Sequence, residues 1–194
     1  MTLEEAIRNA AQLKADAEEL LEKFKIEHQL RPLGEVELRG SALYDLMVRY
    51  DLDFNIYSDD PKIEKAAEVA KGLMTLPDMA GVQVNNHYVV PPTPGKPVGI
   101  YIGIKPYFKG NVWIIDGWYL KREDVLSQVE FGTAWWQEVR PEQKDTMLLL
   151  KATLHEQGRY AKEFFSADIY RAVNDDGVKT VEDLEVWRQF HEPH

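Results

Sequence analysis

LRGSALYDLMVRYDLDFNIY, residues 38–57, sets a Gly-Ser pair shortly before two aspartates separated by one leucine. Leu52, Phe54 and Ile56 alternate with Asp51, Asp53 and Asn55, the pattern of a strand with one face in the core and one face open. Just upstream, Val36 and Leu38 alternate with Glu35, Glu37 and Arg39, which predicts a first strand with Gly40-Ser41 at its exit. The intervening ALYDLMVRY reads as a short helix. Side chains two apart on a strand point the same way, with α carbons roughly 6.5 Å apart. Asp51 and Asp53 therefore share a face and repel each other unless solvent or a cation relieves them. Taken alone, such a pair is ordinary wetting of an open sheet face.

Working outward, residues 2–28 carry Leu3, Ile7, Ala10, Leu13, Ala17, Leu20, Leu21 and Phe24 at helical spacing, a packing helix that Arg31-Pro32-Leu33-Gly34 ends. PKIEKAAEVAKGLM, 61–74, is a second good helix with Pro61 near its start. AGVQVNNHYVV, 80–90, reads as a strand, and PPTPGKP, 91–97, as a stiff loop. VGIYIGIKPYF and NVWIIDGWYL flank Lys109-Gly110 and predict an antiparallel hairpin. After about Arg122 the strand signal stops. Residues 140–165, 166–176 and 180–191 read as helices, with Ser166 and Thr180 as N-caps and Gly177 as a helix end. The order predicts an α+β fold: a mixed β-sheet core with flanking helices over 1–121, and a C-terminal helical subdomain over 122–194.

The chain has 194 residues, 44% hydrophobic and 29% charged, ordinary for a soluble globular protein. It has no cysteine, which excludes disulfides, thiolate zinc sites and cysteine nucleophiles. No apolar run reaches membrane-spanning length, and the charged N-terminus lacks the apolar core of a secretory signal, so the expected location is the cytoplasm. A net charge of −10 without a basic block argues against long nucleic acid as a partner and for a small or short substrate. His28, His87, His155, His191 and His194 show no metal-ligand spacing and read as surface residues. Neither a P-loop nor a nucleophile elbow is present. Trp113, Trp118, Tyr119, Trp135 and Trp136 read chiefly as core, with stacking on a planar ligand as the alternative use.

Asp116 changes the reading of the acidic pair. It interrupts the apolar run of NVWIIDGWYL, and alternation puts it with Val112, Ile114, Trp118 and Leu120. A charge on such a face needs a partner: an arginine, backbone donors at a bulge near Gly117, or a metal ion. Oxygen-rich carboxylate sites suit magnesium. Glu37 is the substitute ligand should Asp116 fail, and Asp45 and Glu35 read as solvated.

Strand, Gly-Ser, nine residues with a short helix, Asp-x-Asp on the next strand, then a lone aspartate in a later apolar strand: residues 35–120 resemble the nucleotidyltransferase superfamily typified by DNA polymerase beta. The acidic charge and small size are closest in character to its minimal and antibiotic-modifying bacterial members. The resemblance implies a nucleotidyltransferase-like core, and transfer of a nucleoside monophosphate from a nucleoside triphosphate such as ATP to a hydroxyl of a small molecule or protein, with release of pyrophosphate. It implies that Gly40 and Ser41 hold the outer phosphates and that Asp51 and Asp53 ligate two Mg2+ ions. Asp116 would bind the ion nearer the acceptor and take the hydroxyl proton. Arg49 joins the nucleotide-binding set, with Arg39, Lys105, Lys109 and Lys151 as further candidate cationic contacts; for each of the five the competing reading is a solvated surface residue. The competing readings are an inactive member of the same fold that binds nucleotide or regulates, and a structural protein whose aspartates only wet one sheet face. They separate on whether a third carboxylate shares the face of Asp51 and Asp53.

Overall fold

Alternation builds the sheet. Leu52, Phe54 and Ile56 of β2 (Asp51–Ser58) are buried, as are Ile115 and Tyr119 of β6 (Ile114–Lys121) and Ile100, Ile102 and Ile104 of β4 (Ile100–Phe108). The computed structural model describes residues 1–90, 92, 96–124, 136 and 138–191. The remaining strands are β1 (Glu35–Arg39), β3 (Met79–Asn86) and the short β5 (Asn111–Val112). Their order is β1-β2-β6-β4-β3, with β5 pairing to β4. Only β2 and β6 run parallel among these pairs; the others are antiparallel. The fold class is therefore α+β with a mixed sheet.

Seven α-helices lie among the described residues: α1 (Leu3–Phe24), α2 (Ile26–Leu30), α3 (Gly40–Leu43), α4 (Ile63–Met74), α5 (Pro141–Glu156), α6 (Ser166–Asp176) and α7 (Val181–Arg188). None is long and apolar enough to cross a membrane. The chain forms two compact units, one from the described residues of Lys14–Tyr44 and Tyr50–Phe131, the other from those of Met1–Leu13, Asp45–Arg49 and Gly132–His194. The sheet lies entirely in the first. There α4 packs on β3 and β4, contributing the buried Ala66 and Leu73, and Phe24 meets Phe108 edge to face at 6.5 Å.

The helical unit buries Leu148, Leu150 and Leu154 of α5, Ile169 and Val173 of α6, and Leu184 and Trp187 of α7. Lys151 is fully buried among them, which a sequence reading of surface cations does not anticipate. Its ammonium donates to the Leu46 carbonyl at 2.7 Å and the Tyr170 hydroxyl at 2.9 Å, and lies 5.4 Å from the centre of the Tyr160 ring. A buried ammonium is tolerable only with such partners.

Several expected boundaries move, each for a local reason. The N-terminal helix breaks at Lys25, whose φ of 49° is left-handed, and resumes as α2. The helix expected over 42–50 is the single turn α3, ended where Asp45 adopts φ 57°. The strand expected over 80–90 stops at Asn86, and His87–Val90 form a turn. The helix expected over 140–165 ends at Glu156, before a turn at Gly158 with φ 68°. Ser166 is the first residue of α6, and its hydroxyl meets that of Tyr160 at 2.6 Å; the cap position belongs to Phe165. Thr180 caps α7 as its sequence suggests, its hydroxyl accepting the Asp183 N–H at 3.1 Å. Trp135, His194 and most of the 91–97 loop lie outside the described residues.

Candidate functional site

The core face of β2 is closed by its apolar residues, so Asp51, Asp53 and Asn55 occupy the other, half-exposed face. The parallel pairing of β2 with β6 is anchored where the Ile114 N–H donates to the Tyr50 carbonyl at 2.9 Å. From that point Asp51 aligns with Ile114, and Asp53 with Asp116. Register partners on adjacent strands point to the same face, with α carbons about 4.8 Å apart. The three aspartates thus project from one face of neighbouring strands. Asp116 is half-buried, as is Trp118; of its other companions Val112 and Ile114 are exposed and Leu120 is buried against Tyr57, so the apolar face expected around it is open at the Ile114 end and closed at the Leu120 end.

Among the described residues the partner of Asp116 is neither an arginine nor a bulge. Register runs unbroken through Gly117 toward both β2 and β4. Instead the Tyr101 hydroxyl donates to Asp116 Oδ1 at 2.6 Å. Burial, then this bond and the charges of Asp116 and Asp53, push the Tyr101 phenol well above the usual tyrosine range, so it stays a donor. Gly103 makes the bond geometrically available. A Cβ there would lie 2.6 Å from the Tyr101 hydroxyl and 3.0 Å from two ring carbons. Without that Cβ, the ring lies flat along its own strand and reaches across to β6. Trp118 packs beside it with ring centres 5.2 Å apart, and His87 flanks Trp118 at 5.6 Å.

Gly40 stands against the other flank of Asp53. Arg39 is the register partner of Asp53, and the chain turns at Gly40 with φ 69°. A Cβ at Gly40 would sit 2.1 Å from Asp53 Oδ2. Glycine here satisfies both a left-handed backbone and the close approach of a carboxylate. Ser41 follows in α3, one turn long. Gly40, Ser41, Asp51, Asp53, Asp116 and Tyr101 all belong to the sheet unit. Arg49 belongs to the helical unit, where its guanidinium lies 5.7 Å from the Tyr160 ring centre. Of the other cations, Lys109 is held by Asp16 and Glu19 at 2.7 Å each, Lys151 is buried as described, and Lys105 is exposed on the open face. Asp45 pairs with Lys144 at 2.9 Å, Glu35 pairs with Arg122, and Glu37 lies 3.9 Å from Arg39, opposite Asn55.

As the side chains stand, no three His, Asp or Glu among the described residues are gathered tightly enough to hold a metal ion. Like charges on neighbouring positions favour separation until a cation draws them in. The donor set itself, carboxylate oxygens from adjacent strands, suits a hard divalent cation such as Mg2+. No family model and no curated protein matches the chain.

Tyr101 and Gly103 are the site residues that the motif does not announce. A two-residue turn at Lys109-Gly110 carries the signal, because it fixes the hairpin register that sets Gly103 opposite Asp116 and Tyr101 opposite Trp118.

Proposed function

We propose that the protein is a metal-dependent nucleotidyltransferase of the polymerase-beta-like superfamily. It transfers a nucleoside monophosphate from a nucleoside triphosphate to a hydroxyl of a small molecule or protein. The observation that carries this reading is the alignment of Asp53 with Asp116, which puts a third carboxylate on the face of Asp51 and Asp53. Asp51, Asp53 and Asp116 would hold two Mg2+ ions. When bound, such ions neutralise triphosphate charge and stabilise the attacking and leaving oxygens. Gly40 leaves room for the Asp53 carboxylate and bares the backbone beside it, where outer phosphates approach, with Ser41 adding a hydroxyl. Asp116, with Oδ1 engaged by Tyr101, presents Oδ2 to the acceptor side. The acceptor oxygen bonds to the α phosphorus, the bond from that phosphorus to the β-phosphate oxygen breaks, and the hydroxyl proton passes to Asp116. Exposed Lys105 and half-buried Arg39 offer positive charge on the same face.

A second reading is a nucleotide-binding or regulatory protein of the same fold without catalysis. The Tyr101–Asp116 bond favours it, since it occupies one oxygen of the proposed base. The two separate in one experiment. The protein is incubated with Mg2+, α-labelled ATP, GTP, CTP or UTP, and hydroxyl acceptors including its own chain. Label transfer with pyrophosphate release, lost in Asp53→Asn, supports the enzyme. Nucleotide binding without transfer supports the second reading, and no nucleotide binding rejects both.

A further inference from the structure

We propose that Tyr101 is a positioning residue that sets the orientation of the Asp116 carboxylate, and that Gly103 is the gap that lets it do so. This rests on the metal-dependent reading above. A carboxylate on a strand can swing about its last two side-chain bonds, and a swinging ligand binds a cation poorly. At 2.6 Å the bond from Tyr101 to Asp116 Oδ1 falls in the short range of hydroxyl-to-carboxylate hydrogen bonds. It fixes the carboxylate plane and takes up one oxygen only.

The phenol is itself held. Its ring lies over Gly103, where a Cβ would meet the hydroxyl at 2.6 Å, and its flank packs against Trp118. Gly103 is also the register partner of Asp116. The tyrosine, the gap beneath it and the acid it contacts therefore form one unit across two paired strands. Nothing in the sheet requires a glycine at 103 for backbone reasons, since it sits mid-strand in β4, where glycine weakens a strand. Its use is the space it leaves. Outer partners that orient metal-binding carboxylates are worth roughly 10–100-fold in metal affinity.

The test is a titration with Mn2+ alone, following the electron paramagnetic resonance of the free ion, on wild type, Tyr101→Phe, Gly103→Ala and Asp53→Asn. Tyr101→Phe keeps the ring packing and loses only the hydroxyl. Gly103→Ala keeps the hydroxyl and displaces it. Both are expected to weaken Mn2+ binding about 10-fold, while Tyr101→Phe melts within a degree or two of wild type in chelator. Unchanged or tighter Mn2+ binding in Tyr101→Phe, with Asp53→Asn still abolishing it, overturns the positioning role and leaves the metal site standing. Absence of any Asp53-dependent Mn2+ binding in wild type overturns both.

Discussion

Replacing Gly40 with alanine tests whether the glycine turn and the acid of β2 form one device. Gly40 has φ 69° and a Cβ there would lie 2.1 Å from Asp53 Oδ2, 3.0 Å from its Cγ and 3.2 Å from its Cβ. Holding alanine in the left-handed conformation costs roughly 1–2 kcal/mol. Forcing Asp53 off its rotamer to clear the new methyl adds about 0.5–1.5 kcal/mol. Gly110 provides the internal control, with φ 83° and no neighbour within 4 Å of its Cβ position. Gly110→Ala is predicted to carry the backbone cost alone. The two variants should thus differ by about 1 kcal/mol, or roughly 2–4 °C in melting temperature for a chain of this length. The assay is thermal melting of both variants in chelator and again with Mg2+ and ATP. Gly110→Ala should keep the cation-dependent rise and Gly40→Ala should lose it, because Asp53 has been moved. Equal melting temperatures with equal Mg2+ responses would refute the coupling of Gly40 to Asp53.

Lys151→Ala removes the donor to the Leu46 carbonyl and Tyr170 hydroxyl and empties a fully buried position; the expected loss is about 3 kcal/mol, or roughly 6–12 °C, read by thermal melting. Burial raises the phenol pKa of Tyr57 and Tyr101 in the folded state. For a group raised on folding, the contribution is complete below the unfolded value near 10 and fades as pH climbs through the folded value. Melting temperature is therefore predicted to fall steeply above about pH 10, and less steeply in Tyr101→Phe; parallel falls in both proteins would count against it.

Much of this architecture is legible from alternation alone. The β1 and β2 strands, the hairpin about Lys109-Gly110 and the helix at 166–176 follow from apolar periodicity and turn chemistry, which act locally. The breaks at Lys25 and Asp45 escape such reading because each is a single left-handed residue of a type that usually continues a helix or turn. The alignment of Asp53 with Asp116 is of a different kind. β2 and β6 are separated by three strands and a helix in sequence, and no local signal sets the register between distant parallel strands. The same distance hides the surroundings of Asp116. Its apolar neighbours in sequence suggest a buried charge, yet the acid is only half-buried, with Val112 and Ile114 exposed and Leu120 buried on the same face. Lys151 carries no sequence mark of burial, since a lysine on a helix reads as solvated until its neighbours from other elements are known.

The most direct test of the central claim is calorimetric titration of ATP into the protein with and without Mg2+, repeated on the variant carrying both Asp51→Asn and Asp53→Asn. Binding that requires Mg2+ in wild type and disappears in the double variant is the predicted result. Identical Mg2+-dependent heats in the two proteins, or no nucleotide binding by wild type, would contradict it.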